Sequence, residues 1–146
     1  MTDLERLLAI EEIKRLKAIY FYCLDYKDWE RWKREVWAPD ASLHVPEARD
    51  EPWVGIDTII EWVSHSAGNQ ISVHHGHMPE IEILSDTTAR GIWAMEDRLR
   101  LPPDQPSPMG FTYLHGLGHY HETYVKLAQG WRIQSTKLTR LYVERT

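Results

Sequence analysis

The chain has 146 residues, with 17 Lys and Arg against 22 Asp and Glu, a net charge of −5 and a single Cys. That length suits one domain over residues 1–146, because a domain of ~150 residues buries about 70% of its unfolded surface and needs neither disulfide nor metal. The acidic balance excludes nucleic acid and anionic membrane as natural partners, since both select a basic face, and one Cys excludes an internal disulfide.

Thr2-Asp3-Leu4-Glu5 reads as a capping box that opens the first helix. Ile13, Leu16, Tyr20 and Leu24 form its apolar stripe at i, i+3, i+4 spacing, Glu11 and Arg15 pair on the wet side, and the helix is expected to end near Asp25. Asp28 caps a second, shorter helix with Trp29, Trp32 and Val36 on one face, and Ala38-Pro39-Asp40 is expected to stop it. A short strand follows over residues 41–45. Asp57 is expected to cap a third helix carrying Ile59, Ile60 and Val63, which Gly68-Asn69 closes.

From Ile71 onward the pattern is extended. Four strands are expected: Ile71 to Leu84 with a bend at Gly76 and Pro79, Thr88 to Leu101, Tyr113 to Leu127, and Trp131 to Val143. Between the second and third lies a loop, Leu101 to Gly110, that holds four prolines. Helices first and antiparallel strands after make an α+β layout, with the helices packed on one face of a strongly curved sheet. Such a sheet leaves a hydrophobic pocket between the layers. No apolar run approaches the ~18 residues of a membrane span. The N-terminus shows no basic stretch followed by an apolar run, so a soluble cytoplasmic protein is expected.

The rings are unevenly divided: seven Trp and seven Tyr against two Phe, beside eight His. Rings with a polar handle suit a cavity that also makes hydrogen bonds. The densest stretch is Val73-His74-His75-Gly76-His77, where alternation puts His74 on one face and His75 and His77 on the other. A histidine in a pocket suits a general base, because its ordinary pKa of ~6.5 lies near working pH. Asp25 ends an apolar helix face, where a carboxylate is costly unless paired, and it is a partner for a His or Arg or a cap of the next turn. Tyr20 lies on the apolar stripe, about 140° around a regular helix from Asp25, so the two border one cavity only if the helix ends or bends there. Trp93, Met95 and Asp97 share one strand face, and Leu138, Arg140 and Tyr142 another. His115, His119 and His121 share a face too, but no tight ligand motif accompanies them, and no metal site is expected.

These residues resemble the SnoaL-like branch of the nuclear-transport-factor-2-like superfamily of cone-shaped α+β proteins. The resemblance rests on Ile13-Lys14-Arg15-Leu16-Lys17 with Tyr20, Leu24-Asp25-Tyr26-Lys27-Asp28-Trp29, His74-x-Gly76-His77-x-Pro79-Glu80-Ile81, and Gly130-Trp131-Arg132-Ile133. Within that branch the chain is most similar to the bile acid 7-alpha-dehydratase type, with scytalone dehydratase more distant. The resemblance implies a catalytic Tyr20, Asp25 and His74, with Asp97 and Arg140 holding polar ends of the substrate; Trp93 is the Trp expected to line the pocket. It implies a cofactor-independent lyase that removes water from a hydrophobic polycyclic or aromatic hydroxylated substrate. An isomerase or retro-aldol-type lyase using the same base, or a non-catalytic small-molecule binding protein, are the alternatives. Relatives of this kind assemble as oligomers, so a homo-oligomer, a trimer before a dimer, is expected. The chain departs from scytalone dehydratase at His44 and Leu24, which stand where that enzyme has tyrosines, and Thr136 stands near the halide-contacting Arg of the related dehydrochlorinase.

Overall fold

The computed structural model describes all residues, Met1–Thr146. Helix α1 runs Asp3–Tyr26, α2 Trp29–Glu35 and α3 Ile56–Ala67. The strands are β1 Trp37–His44, β2 Trp53–Val54, β3 Ile71–Ile83, β4 Thr88–Arg100, β5 Tyr113–Leu127 and β6 Gly130–Arg145. They form one sheet in the order β2-β1-β6-β5-β4-β3, antiparallel throughout except where β1 runs parallel to β6. The α+β layout is the expected one.

The capping box is formed: the Glu5 amide donates to Thr2 Oγ1 at 3.1 Å, and the Thr2 amide to Glu5 Oε2 at 2.6 Å. Ile13, Leu16, Tyr20 and Leu24 are all buried against the sheet, as the helical stripe requires. The helix ends at Lys27, whose backbone is left-handed at φ 61°. Glycine adopts that conformation without steric cost, and a lysine there is strained by about 1 kcal/mol or more. The Asp28 side chain then accepts from the Arg31 amide and starts α2.

Three local expectations are corrected. Ala38, Pro39 and Asp40 do not end α2; the helix stops at Glu35 and these residues already belong to β1. The β1–β6 register shifts between Trp37 and Ser42, so the proline falls in an irregular stretch where its missing donor breaks no ladder. Asp57 does not cap α3: Gly55 is the N-cap, at φ 93°, and Asp57 sits in the first turn, accepting from Lys33. The two-residue β2 is too short to show alternation. Finally, Tyr142 does not share a face with Arg140, because a bulge at Leu141 (Leu117 opposite Tyr142, Gly118 opposite Arg140) turns Tyr142 outward to bond Glu144.

The inner face of the sheet therefore reads Trp93, Met95 and Asp97 on β4, Gly116, Gly118, Tyr120, Glu122 and Tyr124 on β5, and Leu138 and Arg140 on β6. Helices α1 and α3 cover it. No helix is long and apolar enough to cross a membrane.

Candidate functional site

The sequence places a carboxylate in the last turn of α1 and a histidine in β3, and α1 packs along β3. Asp25 and His74 meet there. His74 Nδ1 lies 2.6 Å from Asp25 Oδ1, and the His74 backbone amide donates to Asp25 Oδ2 at 3.0 Å. Ser72, two residues before His74 on the same face and itself buried, donates its hydroxyl to Asp25 Oδ1 at 3.0 Å. Lys27 folds back from its strained position, and its ammonium donates to Ser72 Oγ and to the Asp25 carbonyl, each at 3.1 Å. Burial pushes the Lys27 ammonium below its usual range, and the charge of Asp25 opposes that shift. The carboxylate thus engages the Ser72 hydroxyl, the His74 amide and Nδ1 of the imidazole, which leaves Nε2 without a protein partner.

His74 forms part of the wall of a cavity of about 290 Å³ between the helices and the sheet. Most of the lining is apolar, and its rings come from every layer: Tyr20, Trp32, Trp53, Trp62, Phe111 and Tyr120. Trp53 and Trp62 stack at 3.7 Å between centroids. Burial above all, then the charges of Glu122, Asp25 and Asp97, push the Tyr20 hydroxyl well above its ordinary range. Burial does the same to Tyr120, with Tyr20 and Asp97 adding to it. Both phenols are therefore held in the protonated, uncharged form.

Behind these two rings lies a buried ion pair. Lys17 Nζ is 2.7 Å from Glu122 Oε2, and both side chains are fully buried. The same ammonium sits 3.7 Å from the Tyr20 ring centroid and 3.8 Å from that of Tyr120. Tyr124 donates to Glu122 Oε1, and the Trp93 indole donates to Tyr124, each at 2.8 Å. Burial lowers the Lys17 ammonium, and Glu122 opposes the shift.

A second charged group lines the same cavity, beside His74, because His74 of β3 pairs with Asp97 of β4. Arg140 donates from Nη1 and Nη2 to the two oxygens of Asp97, at 2.6 and 2.9 Å, and from Nε to Glu47 at 3.1 Å. Burial alone would lower the guanidinium, but the hydrogen bonds and charges of Asp97 and Glu47 outweigh it and hold Arg140 above its ordinary value. Gly116 makes the pair possible, since a Cβ at that position would overlap Arg140 Nη1 and crowd Asp97. Gly116→Ala is therefore expected to lower folding stability by about 2 kcal/mol, in the range of overpacked cores, and urea unfolding checks it. Wild-type stability would mean that the guanidinium moves aside freely.

A SnoaL-like domain model matches residues 5–137, nearly the whole chain. The protein belongs to the SnoaL-like family. Among the SnoaL-like protein's relatives is a probable cyclase, FGR4, of Gibberella zeae, 24% identical over 139 residues, with 89% of each chain covered. Its fold is similar to a provisionally assigned scytalone dehydratase from Novosphingobium aromaticivorans, with a TM-score of 0.85, 18% identity, and 99% of this chain and 92% of that one covered. It is also similar to a hexachlorocyclohexane dehydrochlorinase, LinA type 2, with a TM-score of 0.84, 16% identity, and 99% and 93% of the two chains covered.

In this SnoaL-like chain, Tyr20, His74, Asp97 and Arg140 all line the one cavity. Asp25 stands behind His74 rather than in the lining. Helix α1 stays regular through Tyr26, so Tyr20 and Asp25 point in different directions. Trp93 is the correction. It is not in the cavity lining; it packs under Gly76 and Phe21, and its indole is committed to Tyr124. Trp32, Trp53 and Trp62 line the cavity instead, together with Glu47. The other histidines of β3 and β5 face outward on strands separated by β4, where His115 approaches Glu96 at 3.3 Å. No group of three His, Cys, Asp or Glu is arranged to hold a metal ion. Burial pushes the Cys23 thiol up, which leaves it a poor nucleophile.

Proposed function

We propose that this protein is a cofactor-independent lyase that removes water, or a comparable leaving group, from a hydrophobic cyclic substrate carrying a hydroxyl and a carbonyl. The observation that carries this reading is the 2.6 Å contact between Asp25 and His74 at the wall of an apolar cavity that two protonated phenols also line. Asp25 accepts the Nδ1 proton, so Nε2 carries the lone pair and faces the cavity. Nε2 takes the proton from the carbon next to the substrate carbonyl. The electron pair moves onto the carbonyl oxygen as an enolate, and Tyr20 with Tyr120 donates hydrogen bonds to it. When the enolate collapses, the carbon–oxygen bond of the neighbouring hydroxyl breaks. The departing hydroxide takes back the proton from the imidazolium and leaves as water, so the histidine is returned unchanged.

The scytalone dehydratase and dehydrochlorinase assignments of the two structural neighbours both name eliminations, which supports an elimination over other uses of the same base. The outer sheet face, with Ile71, Met78 and Leu141 exposed, is where an oligomer would form. The test is to incubate the protein with cyclic hydroxyketones of the naphthalenone, polyketide and steroid classes and to weigh the products. Loss of one water with no added cofactor is the expected result. An unchanged mass with a shifted double bond would make it an isomerase, and loss of a carbon fragment a retro-aldol lyase. Binding without any conversion would make it a carrier.

A further inference from the structure

Arg140 is the single cation in the cavity lining, and four of its five N–H donors are already spent. Nε goes to Glu47, Nη1 to Asp97 Oδ1 with Met95 Sδ at 3.8 Å, and Nη2 to Asp97 Oδ2. Of the five guanidinium N–H groups, one on Nη2 is left over. A carboxylate or phosphate is normally gripped by a two-pronged guanidinium, and here both prongs are taken by the protein. The charges lining the site point the same way: Glu47 after β1 and Asp97 on β4 stand against Arg140 on β6, while Asp25 is committed to His74 and Ser72 and Lys27 is directed away to Ser72. Asp97 is fully buried and belongs to the pair that Gly116 accommodates. Glu47 is different. It sits on the turn after β1, its side chain is 18% exposed, and it reaches the cavity only to occupy Nε.

We propose that Glu47 sets the charge class of the ligand: by saturating Arg140 and adding a carboxylate to the cavity wall, it admits uncharged hydroxylated or keto ring compounds and rejects their carboxylate or phosphate counterparts. The cavity of about 290 Å³ has room for a fused ring system. An anion entering beside Arg140 meets Glu47 and Asp97 at contact distance, and like charges side by side suppress binding strongly in a partly buried site. The inference rests on the reading that this cavity is where the substrate sits, but not on any particular reaction.

The experiment is calorimetric binding of two ligands of nearly equal shape, 2-naphthol and 2-naphthoate, at neutral pH. Wild-type protein is expected to bind naphthol about tenfold or more tighter than naphthoate. In Glu47→Gln, which keeps an oxygen for Arg140 Nε but removes the charge, that preference is expected to shrink about tenfold or reverse, through tighter naphthoate binding with little change for naphthol. Equal affinities in the wild type, an unchanged ratio in Glu47→Gln, or no affinity for either ligand would overturn the proposal. Because binding is read without turnover, the two readings fail separately. Charge discrimination without elimination of water refutes only the lyase, and elimination of water without charge discrimination refutes only the role of Glu47.

Discussion

Turnover should fall by about 10²–10⁴ when His74 becomes alanine, which is the span that a positioned general base contributes. Fold stability should change little by comparison, because the imidazole is at the cavity wall and not in the packed core. Asp25→Asn is the sharper variant. The carboxylate accepts from the Ser72 hydroxyl, the His74 amide and the His74 Nδ1–H group. An asparagine offers one oxygen in place of two and adds an NH₂ group. That group can donate to Nδ1 and drive the ring proton to Nε2, where the base must be unprotonated. Asp25→Asn should therefore lose activity on the same scale as His74→Ala with its fold intact, and the double variant should lose little more than either alone, because the two residues act as one unit. Steady-state rates and a denaturation curve for each protein decide the matter. Turnover near wild type in Asp25→Asn would remove the carboxylate from the mechanism, and turnover near wild type in His74→Ala would remove the base.

The second large effect concerns Lys17. Lys17→Met strands the Glu122 carboxylate in the core beside Tyr124, and breaking one side of a buried pair costs about 3–5 kcal/mol. For a chain of this length that lowers the melting temperature by about 10 °C or more. Adding Glu122→Gln to the same protein should recover much of the loss, since no charge is then left without a partner. The ammonium also lies against the faces of Tyr20 and Tyr120, so both variants should weaken the placement of the two phenols and lower turnover even where stability has returned. A calorimetric melting scan of the single and double variants tests this. A single variant as stable as the wild type would mean that water reaches Glu122.

How much of this was legible in the sequence differs by element. The stripe of Ile13, Leu16, Tyr20 and Leu24 was readable because a helix repeats its buried face at a fixed spacing, and the capping box marked where it starts. Asp25 and His74 stood out because a charge and an imidazole sit beside apolar neighbours. Lys17 and Glu122 carried the same signal: each falls in the inward phase of its element, Lys17 between Ile13 and Tyr20, Glu122 between Tyr120 and Tyr124. A charge in an apolar phase announces a buried partner, although it does not say which one. Glu47 was not legible. It lies on a turn, where no periodicity relates a residue to the core, and its place beside Arg140 arises from a pairing across 93 positions. Trp93 was misplaced for a related reason. Strand alternation gives the face correctly, but not whether that part of the face is open or covered, and Phe21 covers it. The bulge at Leu141 was invisible because one inserted residue reverses every later assignment without changing composition.

The position of β6 has a consequence for how the molecule comes into being. β1 and β2 join the rest of the sheet only through β6, and the pairing of His44 with Lys137 closes a very long stretch of chain. Contacts so far apart in sequence form late, after the local helices and hairpins. During synthesis on the ribosome, α1 to β2 must therefore wait, with the aromatic wall of the future cavity open to water, until β6 has emerged. Arg140 arrives on that same strand. The cavity is thus the last part of the protein to be completed, and a nascent chain cut short before β6 would present Trp53 and Trp62 as a sticky surface to whatever chaperone is near.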